Sequence, residues 1–114
     1  MSKTMLALFD KLRQLRAYER EHLRFLKTIE DYDLVGEIAY RQASGNPMTL
    51  NEALRLDLGS VATVQRQLRR LRQAGVLALE RHDGDRRIAV ISCTPKTMKV
   101  MAAYAELLST RGTG

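Results

Sequence analysis

The stretch SVATVQRQLRRLRQAGVLALERHDGDRRIAVISCT, Ser60 to Thr94, changes its hydrophobic period part-way along. In its first half, apolar residues recur at the spacing of helical turns, at Val61, Val64, Leu68 and Leu71. Ser60 is a favoured residue at a helix start, and Gly75 is favoured just past a helix end, where the backbone turns left-handed. The first half therefore predicts a helix over residues 61–74.

The face of this helix opposite the apolar stripe is small, polar and cationic. At 100° per residue it carries Ala62, Thr63, Arg66, Arg69, Arg70 and Gln73, with Gln65 on its flank. Arginine and glutamine match the hydrogen-bonding edges of guanine and adenine, and a threonine can contact a phosphate or a thymine methyl group. An arginine-rich helix that faces only solvent would show the same pattern.

The second half of the stretch has the residues of a β-hairpin. Asp83-Gly84 is a strong signal for a two-residue turn, and it lies between segments rich in Val, Leu and Ile. Pairing across this turn sets Glu80 opposite Arg87 and Arg81 opposite Arg86, with Leu77, Leu79, Ile88 and Val90 on one face. Two facing arginines are unfavourable unless an anion or water separates them, so this tip suits a phosphate.

Outside this stretch, the sequence predicts an amino-terminal pair of helices. The first is long and amphipathic, with apolar residues at Met5, Leu8, Leu12 and Leu15 and again at Leu26 and Ile29. A break near Glu30 to Asp33, where Asp33 could cap a new start, precedes the second helix. The second helix ends at a turn made by Gly45, Asn46 and Pro47.

Two further helices have clear start signals. Thr49 and Glu52 have the T-x-x-E spacing in which each side chain accepts from the other residue's backbone amide. A short helix should therefore begin at Thr49 and run to about Leu56. Thr94 can cap a last helix with Pro95 at its first position. The apolar stripe of that helix consists of Met98, Met101, Ala105 and Leu108.

Composition favours one soluble domain with an anionic partner. The 114 residues carry a net charge of +6. The excess is local, because residues 59–87 have seven Arg against three acidic residues, whereas residues 3–33 have seven basic against six acidic ones. No apolar run is long enough for a bilayer and no secretion signal is evident, so we expect a cytoplasmic protein without membrane contact. The single cysteine, Cys93, is expected to be a buried thiol.

No catalytic, metal or cofactor site is predicted. His22 and His82 fall in a helix and in the hairpin, and neither has metal-ligand spacing to another residue. The sequence has no glycine-rich phosphate loop and no carboxylates paired with a nucleophile in a known motif. We therefore expect a protein that is not an enzyme.

The segment from Ser60 to Thr94 resembles the MarR family of bacterial transcription regulators. The shared elements are SVATVQR, LRRL, GVL, DRR and SCT, at the spacing found in the family. The resemblance implies a mainly α fold with a small β-hairpin, a winged helix-turn-helix whose N- and C-terminal helices form a dimerisation region. Residues 1–114 would form one domain, with dimerisation helices at about 1–32 and 95–111, a DNA-binding core at about 34–92, and a wing at 76–92.

The resemblance also implies how DNA is read. The helix over residues 61–74 would enter the major groove, and wing residues 80–87 would lie on the minor groove. There Arg87 would insert while Asp85 orients it, a geometry suited to the negative potential of a narrow groove. Alternatively, Asp85 and Arg87 only stabilise the hairpin, or Glu80 pairs with Arg87. The DNA-binding set is Ser60, Ala62, Thr63, Gln65, Arg66, Arg69, Arg70, Arg86 and Arg87.

In the family, the terminal helices of two chains interlock. This implies a homodimer through Met5, Leu8, Leu12, Leu15, Met98, Met101, Ala105 and Leu108, although such stripes also serve as intrachain core. The chain would then be a homodimeric repressor that reads a palindromic site in double-stranded DNA. A small-molecule effector is a further partner that the family allows. The alternative function is a winged-helix module for protein interaction or assembly.

Overall fold

The computed structural model describes residues 2–82 and 84–109, in which five helices and three strands form. In chain order they are α1 (Lys3–His22), α2 (Ile29–Ala43), β1 (Met48–Thr49), α3 (Leu50–Leu54), α4 (Val61–Gln73), β2 (Leu77–Arg81), β3 (Ala89–Cys93) and α5 (Pro95–Ser109). The predicted class, mainly helical with a small antiparallel sheet, is confirmed. None of the helices in the described residues is long and apolar enough to cross a membrane.

The chain divides into two compact units. One contains α1 and the part of α5 from Lys99 onward, and the other is Phe25–Met98. In the first unit the two helices run antiparallel, since the Lys11 ammonium donates to the Leu107 carbonyl at 3.0 Å and the Tyr18 hydroxyl donates to the Val100 carbonyl at 2.7 Å. The second unit holds every element from α2 to β3, and its core is formed mainly by Leu34, Val35, Ile38, Met48, Ala53, Val64, Leu71 and Ile91.

The capping signals in the second unit are confirmed. Ser60 caps α4 by accepting from the Thr63 amide at 3.1 Å, and α3 begins with the complete capping box of Thr49 and Glu52. Gly75, just past α4, has φ of 76°, in the left-handed region. The predicted cap on the last helix is also present, because the Thr97 amide donates to the Thr94 hydroxyl at 3.4 Å.

The predicted break before the second helix is wrong in position. α1 ends at His22 and α2 already begins at Ile29, so Asp33 lies within the helix and does not cap it. Thr28 is the cap, because its hydroxyl accepts from the Asp31 amide at 3.1 Å. Asp31 in turn accepts from the Lys27 amide at 2.8 Å, and this second bond favours the earlier start.

The predicted hairpin register is also wrong. Glu80 faces Val90 rather than Arg87, a shift of three residues, and Arg81 faces Ala89 rather than Arg86. Because side chains alternate between the two faces of a strand, a shift by an odd number exchanges the faces of β3. Ile91 and Cys93 are therefore the residues of β3 that are buried in the core, in place of the predicted Ile88 and Val90. β1, which the sequence analysis missed, pairs with the other edge of β3. Asp83 lies outside the described residues, and Gly84 does not adopt the left-handed backbone that a two-residue turn requires.

Two glycines give opposite stability predictions. Gly75→Ala should destabilise the protein by about 1 kcal/mol, because an L side chain is strained at positive φ. Gly36→Ala should stabilise it by about 0.5–1 kcal/mol, because Gly36 is inside α2 and alanine favours helix. Among the described residues, nothing lies within 4 Å of a Cβ added at Gly36. Urea denaturation measures both changes, and equal midpoints for the two variants would contradict this interpretation of the backbone.

Candidate nucleic-acid interface

The outward face of α4 exposes most of the predicted DNA-binding residues. Ser60, Ala62, Thr63, Gln65, Arg66 and Arg69 are all exposed. Their polar groups form a chain along the first turns, in which the Ser60 and Thr63 hydroxyls lie 2.9 Å apart. The Arg66 guanidinium donates to the Thr63 hydroxyl at 3.4 Å. The arrangement presents a cationic donor next to a short side chain at the start of a helix.

Val61 is a member of this surface that the sequence analysis assigned to the apolar stripe of α4. Its side chain is 54% exposed, whereas Val64, Leu68 and Leu71 are buried. Gln67 is buried with them, so the inward face is centred between Gln67 and Leu68. At 100° per residue, this centre is about 70° from Val61. The first turn of α4 thus exposes two apolar residues, Val61 and Ala62.

Arg70 does not point away from the core as its helical position suggested. Its guanidinium donates to the carboxylate of Asp31, which is fully buried, while the Arg70 side chain remains 41% exposed. The Gln67 amide donates to the same carboxylate at 2.9 Å. Burial raises the pKa of Asp31, but the hydrogen bonds from Lys27, Gln67 and Arg70 outweigh it and keep that pKa below its ordinary value. Arg70 is therefore an ion-paired residue at the edge of the inward face.

The loop between β2 and β3 holds Arg87 against Asp85. The Arg87 guanidinium donates to both carboxylate oxygens at 3.1 Å, and the Arg87 backbone amide donates to one of them at 3.0 Å. These bonds lower the pKa of Asp85 below its usual value. Arg87 is nevertheless 91% exposed, and Arg86 beside it is exposed too. The alternative pair with Glu80 does not form, since Glu80 faces Val90.

The base of the loop is closed by His82. Its backbone amide donates to the Ile88 carbonyl at 2.8 Å, and its imidazole accepts from the Gly84 amide at 2.9 Å. The Ile88 amide donates to the Asp85 carbonyl at 3.0 Å. The described part of the loop is thus held by bonds within itself, which fix the direction of the Asp85 and Arg87 pair.

An ion pair links α2 to α3. The Arg41 guanidinium donates to the Glu52 carboxylate at 2.9 Å and, through Nε, to the Asn46 carbonyl at 2.8 Å. The bonds from Arg41 and from the Thr49 backbone lower the pKa of Glu52 to about 2. Glu52, the capping-box partner of Thr49, is therefore held in place as a carboxylate well below neutral pH.

Cys93 is a core residue, as predicted. It is 3% exposed, and its backbone amide donates to the Gln42 side chain at 2.8 Å. Burial raises the pKa of the thiol to about 11, so it is protonated at neutral pH. Its side chain therefore acts as a small apolar group beneath the sheet.

Comparisons with solved structures place this geometry in a known fold. The structure of a Staphylococcus aureus MepR–DNA complex matches with a TM-score of 0.66 and 19% identity, covering 93% of this chain and 82% of that chain. MarR matches with a TM-score of 0.57 and 19% identity over 93% of this chain and 75% of that chain. The chain has the MarR fold. Heme-free PefR shares the MarR fold at a TM-score of 0.54 and 14% identity, with 93% and 92% of the two chains covered. No protein-family model and no curated protein matches the sequence.

The MarR fold here leaves much of the predicted dimerisation stripe uncovered within one chain. Met5 is 45% exposed, Leu8 54% and Leu108 58%. Ala105 is also exposed, Leu12, Met98 and Met101 are half-buried, and Leu15 is buried. The sequence analysis omitted Leu6 and Phe9, which are 65% and 48% exposed on the same helix. Neither belongs to the stripe, since at 100° per residue Phe9 lies about 80° and Leu6 about 140° from its centre.

Proposed function

We propose that the protein is a sequence-specific, double-stranded DNA-binding transcription regulator of the MarR type, acting as a homodimeric repressor in the cytoplasm. The observation that supports it best is the outward face of α4, which is cationic and exposed while the opposite face is buried. Base edges are read by such a helix in the major groove. The fold agrees with this, because MepR, solved as a DNA complex, shares it.

In this proposal α4 reads bases through three kinds of contact. Arg66 would bond guanine, Gln65 would bond adenine, and the exposed Val61 and Ala62 would contact thymine methyl groups. Arg69 would contact a phosphate near the same turn. Arg70 is left out of this set because its guanidinium is bound to Asp31.

The loop at residues 82–88 would be the wing. Arg87, already held by Asp85, would enter an adjacent minor groove, and Arg86 would contact its phosphates. A guanidinium whose direction is fixed loses less conformational entropy when it binds. The wing would thus add affinity wherever the minor groove is narrow.

The dimer would form through the exposed apolar residues of α1 and the end of α5. A monomer with an apolar patch of this kind would expose a surface that favours association. Two copies of α4 related by a two-fold axis would read two half-sites about one DNA turn apart. Occupying such a palindrome within a promoter would block transcription.

The test is fluorescence anisotropy with duplexes that the protein selects from a random-sequence library, measured across a salt series beside unrelated duplexes. We expect tight, salt-sensitive binding to the selected duplexes and weaker binding to the others. The competing function is a winged-helix module for protein assembly, which this face of α4 supports less well. Equal binding to all duplexes would contradict specific regulation and favour that module.

Arg87→Ala should weaken binding to selected and unrelated duplexes by similar factors, about 3- to 10-fold, and lower the salt slope by about one for each wing. Arg87→Lys should restore the slope but only part of the affinity, because lysine lacks the planar fork that binds Asp85. The same anisotropy assay measures both. Unchanged affinity in Arg87→Ala would mean that the pair only shapes the loop.

A further inference from the structure

The Asp31 carboxylate joins the start of α2 to the middle of α4. It is fully buried and accepts three hydrogen bonds, from the Lys27 backbone amide, the Gln67 side-chain amide and the Arg70 guanidinium. Two of these donors belong to α4, and they come from its consecutive turns. A buried carboxylate is very unfavourable without such partners. Gln67 and Arg70 must therefore stay close to Asp31, which restricts how α4 can move relative to α2.

Gln67 shows how strongly this arrangement is constrained. Its amide nitrogen points at Asp31, and its side-chain oxygen is buried without a hydrogen-bond partner among the described residues. Leaving a buried acceptor unsatisfied is unfavourable. The bond to Asp31 must outweigh the missing hydrogen bond to the Gln67 oxygen, since the side chain keeps this orientation.

The residues that Asp31 binds are sequence neighbours of the exposed arginines. Gln67 follows Arg66, and Arg70 follows Arg69. Side chains on a helix extend about 5–6 Å from its axis, so a rotation of roughly 20° moves their ends by about 2 Å. A bidentate bond to a base edge tolerates far less than that displacement, whereas attraction to a phosphate changes little.

We propose that Asp31 is a positioning residue for DNA recognition, which acts through Gln67 and Arg70 to set the rotation of α4 and to hold Arg70 away from the phosphates. This rests on the proposed function. Sequence discrimination then depends on a carboxylate that never touches DNA. Arg70, although it lies on the reading helix and is partly exposed, contributes no phosphate contact.

The first test is Asp31→Asn, assayed on selected and unrelated duplexes over a salt series. We expect the ratio of the two affinities to fall about 10-fold or more, while binding to unrelated duplexes stays the same or strengthens because Arg70 is released. Glu52→Gln is the matched control. It makes the same change of charge and breaks the Arg41 pair between α2 and α3, and it should leave the ratio within about 2-fold. An unchanged ratio in a folded Asp31→Asn protein would overturn the proposal.

A second test does not require that Asp31 be changed. Arg70→Gln leaves the Lys27 and Gln67 bonds to Asp31 in place, so we expect the fold to be retained, and the salt slope should equal that of the wild type. Arg69→Gln should lower the slope by about one for each chain, because Arg69 is a proposed phosphate contact. Equal losses of slope in both variants would overturn the proposal, and they would do so even if Asp31→Asn failed to fold. A wild-type protein without sequence preference would instead overturn the proposed function, and this inference with it.

Discussion

Arg66→Ala is expected to remove most of the preference for selected DNA while leaving binding to unrelated duplexes nearly intact. Arg66 is exposed on the second turn of α4, and its guanidinium rests on the Thr63 hydroxyl. A good bidentate contact between arginine and guanine discriminates by about 1–3 kcal/mol, which corresponds to roughly 5- to 150-fold for each half-site. Anisotropy competition between selected and unrelated duplexes measures the ratio directly.

Arg72→Ala is the matched control for Arg66→Ala. It removes the same charge from the same helix, but Arg72 lies beside β2, where it lines a shallow groove of about 400 Å³ with Gln73 and Leu77. Arg72→Ala should weaken binding to selected and unrelated duplexes slightly and by the same factor. Equal effects of the two variants on the ratio would mean that α4 contributes charge alone and does not read bases.

Leu8→Glu is expected to convert a dimer into a monomer and to weaken binding to selected DNA by about 100-fold or more. A carboxylate at this position would be buried without a partner in the proposed interface. Loss of the dimer also removes the gain that comes from linking two half-site contacts, typically 10²- to 10⁴-fold. Sedimentation at micromolar concentration measures the association, and anisotropy measures the binding.

Ala7→Glu controls for the acidic side chain itself. Ala7 is exposed on α1, and at 100° per residue it lies opposite the centre of the arc formed by Leu8, Met5 and Phe9. This variant should remain a dimer and bind DNA with little change. A wild-type protein that sediments only as a monomer would contradict the dimer, whatever the variants do.

The parts of the fold that depend on neighbouring residues could be predicted from the sequence. Ser60 and Gly75 mark the ends of α4 because a cap needs only the amides or carbonyls of the adjacent turn. The hairpin register could not be predicted this way. It is set by the burial of Ile91 and Cys93 and by pairing with β1, and these groups lie far from the turn at Gly84.

In the candidate site, too, contacts between neighbouring residues could be predicted and contacts between distant residues could not. Asp85 and Arg87 were predicted to interact, and they are only two residues apart. Asp31 and Arg70 are separated by 39 residues, and no pattern in either segment indicates that they meet. The buried position of Asp31 follows from the start of α2 at Ile29, whereas the sequence analysis expected that start near Asp33. Distant polar pairs of this kind require the tertiary structure.

The loop at residues 82–88 can vary in sequence without changing how the two flanking strands, β2 and β3, pair. The bonds of His82 and Asp85 stay within the loop, while the strands on either side are fixed by Ile91 and Cys93. Substitutions, insertions or deletions near Gly84 would therefore not slide β3 past β2. Loops of different length and charge could be exchanged at this point, so new binding preferences could arise there without a redesigned core.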